Sequence, residues 1–246
     1  MKKLGLIGYP LTHSFSKKYF TEKFNNENIK NWEYLNFELK NIDEFMDFIS
    51  KYPELTGLNI TIPYKEKILK YVDWQDAVVK EIGATNTLKL LPNKIKAYNT
   101  DAYGFEESLK PYLKSHHHKA LILGTGGASK AVSYVLKKME ISHKYVSRNP
   151  KKEDEIGYKD LKKEIIENHQ IIINTTPVGT YLFPEKKVNF PYDFIQHTHL
   201  FYDLIYNPSK TDFLKEAEKR NATIVNGLKM LHLQAEKSWE IWNDKN

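Results

Sequence analysis

The sequence predicts an α/β protein with two domains, and three observations lead to this class. First, an apolar run leads into a glycine-rich turn and a helical pattern within residues 119–138. Second, strand and helix patterns alternate from there to residue 226, as in a doubly wound sheet. Third, the first 101 residues contain a separate α/β pattern. We therefore expect one domain at residues 102–226 and another at 1–101 plus 227–246, to which a C-terminal helix returns.

The glycine-rich turn, KALILGTGGASK at 119–130, has the order that a nucleotide pyrophosphate requires. Gly124, Gly126 and Gly127 let the backbone approach the phosphates, and the following helix offers free N–H groups and the positive end of its dipole. Ser129 stands where G-x-G-x-x-G has its third glycine, so the turn by itself is a moderate signal. It predicts a Rossmann domain that binds a dinucleotide.

The next strand of this domain indicates which dinucleotide is bound. The segment SHKYVSRNP at 142–150 is predicted to be a strand that ends in Ser147 and Arg148. An NAD site places Asp or Glu about 20 residues past the glycine turn, yet the first acid here is Glu153. Because arginine forms charge-assisted hydrogen bonds with a 2′-phosphate, whereas a carboxylate repels it, the sequence predicts NADP.

Composition excludes several classes of protein. The 246 residues include no cysteine, which removes disulfides and thiolate metal sites. No apolar run approaches the ~20 residues of a membrane span. The opening segment MKKLGLIGYP is interrupted by Pro10 before a signal sequence develops. We therefore expect a cytoplasmic protein that does not enter a membrane.

The net charge of +6 suits an anionic partner. Lysines are scattered over helical segments rather than gathered in one arm, so we expect small anions such as phosphates and carboxylates, and not nucleic acid. Three consecutive histidines at 116–118 lack a nearby acid or further histidine that would complete a ligand set, and we expect no metal site.

Two serines near the N-terminus mark a candidate binding site. Ser14 and Ser16 stand just before an amphipathic segment at residues 17–28. Hydroxyl groups at a helix N-terminus suit a ligand with hydroxyls or a carboxylate. One serine can instead be an ordinary N-cap, and the segment by itself favours this interpretation without excluding the other.

A second polar set lies on and after the predicted strand Leu58–Thr61. Asn59 and Thr61 are two residues apart on the strand, so their side chains point to the same side. Pro63 is predicted to begin a helix that carries Lys65 in its first turn. Because a lysine there opposes the helix dipole, Lys65 is a functional candidate.

A hairpin is predicted through residues 84–99, around Pro92 and Asn93. It leads to Asp101, which either caps a helix at 102–112 or takes part in function. The sequence alone gives these two interpretations equal weight.

Four stretches of the chain resemble signature segments of one enzyme family, in its order and spacing. They are GYPLTHSFS, LNITIPYKE, ATNTL with NTDAYG, and NGLKMLHLQA. Three more, GTGGASKA, INTTPVGT and DLIYNP, resemble that family's NADP-domain motifs. Together they run from residue 8 to residue 235. The chain thus resembles the shikimate dehydrogenases over nearly its whole length.

The resemblance implies roles for individual residues. It makes Lys65 and Asp101 the catalytic pair. It assigns substrate binding to Ser14, Ser16, Asn59, Thr61, Asn86, Tyr206 and Gln234, with the two serines at the substrate carboxylate. It assigns NADP binding to Gly124, Gly126, Gly127, Ala128, Ser129, Ser147, Arg148, Thr175, Gly227 and Met230.

The reaction implied by the resemblance is the reversible, NADPH-dependent reduction of 3-dehydroshikimate to shikimate, on the route to chorismate and the aromatic amino acids. A protonated Lys65 would stabilise negative charge on the C3 oxygen and donate a proton, while Asp101 would orient the ammonium. The alternatives are a quinate/shikimate dehydrogenase, a paralogue with a different hydroxy acid, and a non-catalytic NADP-binding sensor. The chain is expected to be a monomer or a homodimer.

Two departures from the family pattern fall near these residues. After the serines the family usually continues S-P-x-x-H-N, whereas this chain reads SKKYF at 16–20. This change bears on the start of the helix and on substrate selectivity. Lys130 stands where an arginine often follows the glycine turn, which keeps the charge and loses bidentate geometry.

Overall fold

A computed structural model describes residues 1–11, 15–180 and 187–244 of the chain. Contacts divide the protein into two units, one of residues 1–100 with the chain from Gln234 onward and one of residues 101–233. Each unit has its own six-stranded sheet with helices, which confirms the predicted α/β class. The domain boundaries expected at 101/102 and 226/227 stay predictions.

The first unit is built on a mixed sheet. Its strands are β1 (Lys2–Gly8), β2 (Trp32–Glu38), β3 (Leu55–Ile60), β4 (Trp74–Gln75), β5 (Thr87–Leu91) and β6 (Lys94–Tyr98). They lie in the order β2-β1-β3-β5-β6-β4. β2, β1 and β3 run parallel, whereas β5 is antiparallel to both β3 and β6. The apolar runs of β1 and β3 are buried, and β5 with β6 forms the predicted hairpin.

The helices of this unit are short and are held by burial and capping. They are α1 (Phe15–Asn26), α2 (Phe45–Ser50) and α3 (Ala77–Ile82). α1 buries Phe20 and Phe24. α3 begins where the Asp76 carboxylate accepts the Val79 N–H, and it ends at Gly83, which has a left-handed conformation.

Residues 63–66, all of them described, do not form the predicted helix, so that prediction was wrong. They form turns, and only a short 3₁₀ helix, Lys67–Tyr71, follows. The Tyr64 N–H donates to the Thr61 carbonyl, which closes a single turn instead of an α-helical one.

Two buried side chains attach this segment to the core of the unit. The Tyr64 ring is buried and its hydroxyl donates to the Leu39 carbonyl, while Ile68 is fully buried four residues on. These two anchors draw the chain into the core. Lys65 therefore does not lie in the first turn of an α-helix, and the argument from the helix dipole does not apply to it.

The second unit has a wholly parallel sheet. Its strands are β7 (Lys119–Leu123), β8 (Ser142–Ser147), β9 (Glu155–Gly157), β10 (Ile171–Asn174), β11 (Leu200–Asp203) and β12 (Thr223–Asn226). Their order is β9-β8-β7-β10-β11-β12, and every neighbouring pair is parallel. This is the strand order of a Rossmann domain, with its switch point between β7 and β10. The predicted Rossmann topology is confirmed.

Among the described residues, four helices belong wholly or mostly to this unit, of which the first precedes the sheet and the other three connect its strands. They are α4 (Thr100–Leu109), which starts at the boundary of the unit, α5 (Gly127–Lys138), α6 (Lys163–Asn168) and α7 (Asp212–Glu218). β10 and β11 are buried along their whole length, as expected of parallel strands covered on both faces.

The last helix, α8 (Leu228–Asn243), returns to the first unit as the sequence predicts. The Trp242 indole N–H donates to the Leu88 carbonyl at 2.9 Å. The Lys89 ammonium donates to the Asp244 carbonyl at 2.6 Å, at the negative end of the helix dipole. Within the described ranges, no helix is both long and apolar enough to cross a bilayer.

Candidate active site

A buried cluster of amides and hydroxyls lies in the first unit, and Asn86 is at its centre. The Asn86 side chain, 3% exposed, donates to the Thr100 hydroxyl at 2.9 Å and accepts the Thr100 N–H at 2.7 Å. Its amide nitrogen also lies 3.3 Å from the Gln234 carbonyl oxygen. One side chain thus joins the end of the hairpin, the start of α4 and helix α8.

Asn59 extends this cluster toward α1. Its amide nitrogen faces three acceptors at 3.1 Å, the Asn86 carbonyl and the hydroxyls of Thr87 and Ser238. Its oxygen accepts from the Tyr34 hydroxyl at 2.8 Å. The protein therefore uses both ends of the Asn59 amide, which fixes its orientation.

Tyr34 connects Asn59 to the serine segment. Burial raises the pKa of the Tyr34 hydroxyl, and a hydrogen bond with Ser16 acts in the opposite direction. Ser16 lies in the first turn of α1 and is partly exposed. Ser14, the other predicted serine, lies outside the described residues.

Helix α8 supplies two members of the cluster, one turn apart. Ser238 is fully buried and donates to the Gln234 carbonyl at 2.9 Å. Its hydroxyl also lies 2.8 Å from that of Thr87 and 3.1 Å from that of Thr100. The structure therefore groups the predicted residues Asn59, Asn86 and Gln234 around Ser238.

Lys65 and Thr61 lie in the chain that follows β3. The Lys65 carbonyl accepts the Thr85 N–H at 2.8 Å, one residue before Asn86. The Thr61 N–H donates to the Ile7 carbonyl at 2.9 Å. Both side chains are partly exposed. The turn of Lys65 is thus fixed to the segment that carries Asn86.

Asp101 is the second residue of α4, which begins at Thr100. The helix therefore starts one residue before Asp101, which does not occupy the cap position that one interpretation gave it. A carboxylate in the first helical turn is favoured by the helix dipole. The preceding residue, Thr100, is the one that Asn86 holds.

The chain that departs from the family pattern, after Ser16, contacts α8. The Tyr19 hydroxyl donates to the Glu236 carboxylate, and the Lys23 ammonium lies 2.9 Å from the other oxygen of that carboxylate. Burial, with the Glu236 charge beside it, raises the pKa of Tyr19. Two donors of α1 thus hold one carboxylate of α8.

In the second unit, the glycine turn leaves room for a phosphate group. Gly126 is the N-cap of α5, and no side chain caps this helix end. At Gly126 and Gly127, nothing lies within 4 Å of the point where a Cβ would stand. An open helix N-terminus with exposed glycines fits a pyrophosphate. Ala128 follows in the first turn, whereas the buried Ser129 hydroxyl donates to the Gly126 carbonyl at 2.6 Å.

Gly124 lies at the switch point and touches the turn after β10. Its φ of +102° favours glycine. A Cβ there would stand 3.0 Å from both the Thr175 hydroxyl oxygen and the Thr176 methyl. The Thr175 hydroxyl donates to the Leu123 carbonyl at 2.7 Å. The structure therefore brings the predicted residues Gly124 and Thr175 together.

Ser147 and Arg148 lie at the carboxyl end of β8, on the same edge of the sheet. The Ser147 hydroxyl accepts the Asn149 N–H at 3.2 Å, and Arg148 is exposed. Burial raises the pKa of Tyr158, while the positive charge of Arg148 nearby acts to lower it. An exposed guanidinium at this edge can bind a phosphate group.

The loop after β11 and the start of α8 hold the remaining predicted residues. Tyr206 is partly exposed, and Met230 is buried. The Gly227 N–H donates to the Ile205 carbonyl at 3.0 Å, and a Cβ on Gly227 would stand 2.0 Å from the Leu204 oxygen. Only glycine permits this close approach of the two segments.

Sequence reasoning missed four residues that hold these arrangements together: Tyr34, Ser238, Asn174 and Asp203. A carboxylate at the end of the apolar run LFYD is a signal that could have identified Asp203, because charged residues are rarely buried without partners. Ser238 lies one helical turn after Gln234, which is the spacing that places two side chains on one face.

The described histidines and acids form no group of three that could hold a metal ion. His116 and His117 instead both place a ring nitrogen 3.1 Å from the Thr198 carbonyl oxygen. Burial lowers the pKa of His117. These contacts give two of the three consecutive histidines a structural role.

Comparisons with known proteins agree on one family. A model described as the shikimate dehydrogenase substrate binding domain matches residues 6–88. The shikimate dehydrogenase (NADP(+)) of Methanococcus maripaludis is 39% identical over 257 residues, which cover 98% of this chain and 91% of that protein.

Solved structures give the same result. Shikimate dehydrogenase 1 from Peptoclostridium difficile is similar with a TM-score of 0.86 and 37% identity, over 100% of this chain and 93% of that one. The shikimate 5-dehydrogenase of Thermus thermophilus, in complex with NADP(H) and shikimate, is similar with a TM-score of 0.86 and 25% identity. The match covers 99% of this chain and 94% of that one.

We expect Ser238→Ala to destabilise the protein by about 1–3 kcal/mol, because it removes a buried hydroxyl that is hydrogen-bonded to Asn59, Thr87 and Thr100. The free energy of unfolding, from denaturant titration, measures this effect. Ser50→Ala is the control, since the exposed Ser50 donates only to the Asp47 carbonyl, and it should change stability by less than about 0.5 kcal/mol. Equal stabilities of the two variants would contradict the prediction.

Proposed function

The chain belongs to the shikimate dehydrogenase family, and on this premise we propose that it catalyses the reversible, NADPH-dependent reduction of 3-dehydroshikimate to shikimate. The observation that carries the proposal is 39% identity to an NADP(+)-dependent shikimate dehydrogenase over 98% of the chain. The protein is accordingly an oxidoreductase that acts on a CH–OH group with NADP. Its product leads toward chorismate and the aromatic amino acids.

Each domain has its own part in this proposal. Residues 1–101 with 227–246 form the substrate domain, in support of which the matched substrate-binding family model covers residues 6–88. Residues 102–226 form the NADP domain, which the Rossmann strand order supports. Action in the cytoplasm, as a monomer or homodimer and without nucleic acid, belongs to the same proposal.

The residues of the second unit fit NADP. The N–H groups at the open start of α5 bind the pyrophosphate, and the side chains of Ser147 and Arg148 bind the 2′-phosphate. Thr175, Gly227 and Met230 line the rest of the cofactor site. When bound, NADPH supplies the hydride of the reaction.

Lys65 and Asp101 are the proposed catalytic residues. A protonated Lys65 stabilises the negative charge that develops on the C3 oxygen and gives that oxygen its proton; in the reverse direction the neutral amine takes the proton back. Asp101 orients the ammonium and a substrate hydroxyl. The anchoring of the Lys65 carbonyl to Thr85 and of Thr100 to Asn86 supports rigid placement of both groups.

The substrate is a ring with a carboxylate and several hydroxyls, and the other residues suit these groups. Ser14 and Ser16 bind the carboxylate. The hydroxyl groups of the substrate are bound or positioned by Thr61, Asn59, Asn86, Tyr206 and Gln234. The burial and mutual hydrogen bonds of Asn59, Asn86 and Gln234 support a preorganised polar surface.

The test of the function is a steady-state assay of NADP⁺ reduction with shikimate, run beside quinate and beside NAD⁺. We expect the highest kcat/KM for shikimate with NADP⁺. A higher value with quinate would replace the proposed substrate with another hydroxy acid. Binding of NADP⁺ without turnover of either acid would make the protein a cofactor sensor and contradict the proposal.

We expect Lys65→Ala to lower kcat by roughly 10²–10⁴-fold, the usual scale for an acid–base group. The affinity for NADPH should stay nearly unchanged, because Lys65 belongs to the substrate domain. Lys67→Ala is the matched control, since Lys67 is exposed two residues away, and it should keep full activity. Full turnover of Lys65→Ala would remove Lys65 from the mechanism.

We expect Arg148→Ala to raise the KM for NADPH about 10- to 100-fold, because the variant loses the charge-assisted hydrogen bonds to the 2′-phosphate. The KM for NADH, which lacks the 2′-phosphate, should hardly change. Lys144→Ala, exposed on the same strand, controls for loss of positive charge. Equal losses with both cofactors would place the 2′-phosphate elsewhere.

A further inference from the structure

Asp203 is a buried carboxylate that the proposed reaction does not use. It ends β11 with no exposed surface. Its Oδ1 accepts from the Asn174 amide at 3.0 Å and the Ile205 N–H at 3.1 Å, and its Oδ2 accepts from the Thr211 hydroxyl at 2.5 Å. None of the three donors carries a charge. Burial raises the pKa of Asp203 to about 6, against the effect of these hydrogen bonds.

The hydrogen bond from the Asn174 amide connects Asp203 to the turn after β10. The Asn174 side chain, also fully buried, accepts from both the N–H and the hydroxyl of Thr176, at 3.0 and 2.7 Å. The Thr176 methyl and the Thr175 hydroxyl are the atoms closest to the Cβ position of Gly124. Asp203 therefore holds, through Asn174, the turn at Thr175 and Thr176 that packs against Gly124.

The hydrogen bond from the Ile205 N–H connects Asp203 to the loop after β11. The Ile205 N–H is held by Asp203, and the Ile205 carbonyl accepts the Gly227 N–H at 3.0 Å. Tyr206 follows directly in the chain. The same carboxylate thus controls the backbone from which Tyr206 projects and against which Gly227 packs.

The place of Asp203 on the sheet gives these contacts a functional meaning. In a Rossmann sheet, ligands bind outside the carboxyl ends of the strands near the switch point, here between β7 and β10. Asp203 stands at that end of the adjacent strand, and Asn174 is its register partner on β10. A carboxylate can accept several hydrogen bonds at once, so it can hold segments that contribute to one site.

We propose that Asp203 is a positioning residue of the NADP site, where its carboxylate holds the turn after β10 and the loop after β11 in the arrangement that receives the cofactor. The inference rests on the proposed NADP-dependent function and deepens it. Asp203 acts through Asn174 and Ile205, which distinguishes its role from that of the residues proposed to touch the cofactor.

The test compares Asp203→Ala with Asp203→Asn and with the control Tyr202→Phe. The alanine removes all three hydrogen bonds, whereas the asparagine oxygen still accepts from Asn174 and Ile205 and its amide can donate to Thr211. Tyr202→Phe removes a buried hydrogen bond one residue away, between the hydroxyls of Tyr202 and Ser108, without touching either loop. For each variant, NADPH dissociation constants from fluorescence titration, kcat, both KM values and thermal unfolding are measured.

We expect Asp203→Ala to weaken NADPH binding about tenfold or more, through misplaced contacts rather than lost ones, with a smaller change in the KM for shikimate. Asp203→Asn should recover most of the affinity. Tyr202→Phe should lower the unfolding temperature and leave NADPH binding unchanged. Where Asp203→Ala does not fold, Asn174→Ala should reproduce the loss of affinity, because it removes the links to Asp203 and Thr176 while Asp203 keeps its hydrogen bonds from Ile205 and Thr211.

Wild-type NADPH affinity in folded Asp203→Ala or Asn174→Ala would overturn the inference, and so would an equal loss in Tyr202→Phe. The binding measurement keeps this result separate from the proposed reaction. If the unaltered protein does not oxidise shikimate, the proposed substrate fails, while the NADPH affinities still decide the role of Asp203.

Discussion

Buried amides need partners, and this constraint joins the site of the first unit to its core. Asn86 can satisfy its side chain only if the hairpin, the start of α4 and helix α8 are all in place, because its partners belong to all three. An unsatisfied buried polar group costs about 1–3 kcal/mol. Assembly of the polar cluster and docking of α8 therefore depend on each other. The surface that we propose to bind the substrate hydroxyls is oriented in this way by the protein's own hydrogen bonds.

In the second unit, a buried carboxylate rather than an amide joins separate segments of the chain. The Asp203 carboxylate accepts from three neutral donors on separate segments; burial raises its pKa, and these hydrogen bonds act in the opposite direction. In a parallel sheet the loops at the carboxyl edge come from distant parts of the sequence and have no ladder to align them. A buried acceptor with several lone pairs supplies that alignment.

The sequence predicted well those features that depend on local pattern, and less well those that depend on tertiary contact. The parallel strands of the second unit and the hairpin could be read from apolar runs and turn residues, since each is specified within a few positions. The helix expected at Pro63 is absent, and the sequence does not show that the chain there forms turns anchored in the core by Tyr64 and Ile68. Ser238 and Asp203 were not predicted, because the hydrogen-bond partners of a buried polar residue come together only in the folded chain.

The departure from the family pattern after Ser16 is compensated by packing that the sequence alone does not show. A proline would fix the start of α1 through its backbone; here the helix is fixed by what its side chains meet. The Phe20 ring is fully buried and stacks on Tyr34, the residue that connects Ser16 to Asn59. The Glu236 carboxylate of α8 accepts hydrogen bonds from two donors of α1, Tyr19 and Lys23. A partly exposed ion pair adds little energy, so the aromatic contacts, which include that of Phe20 with Trp242 of α8, are the main stabilisation of α1. The position of Ser16 relative to Gln234 is therefore a consequence of the α1–α8 interface rather than of the residues that follow the serines in the family pattern.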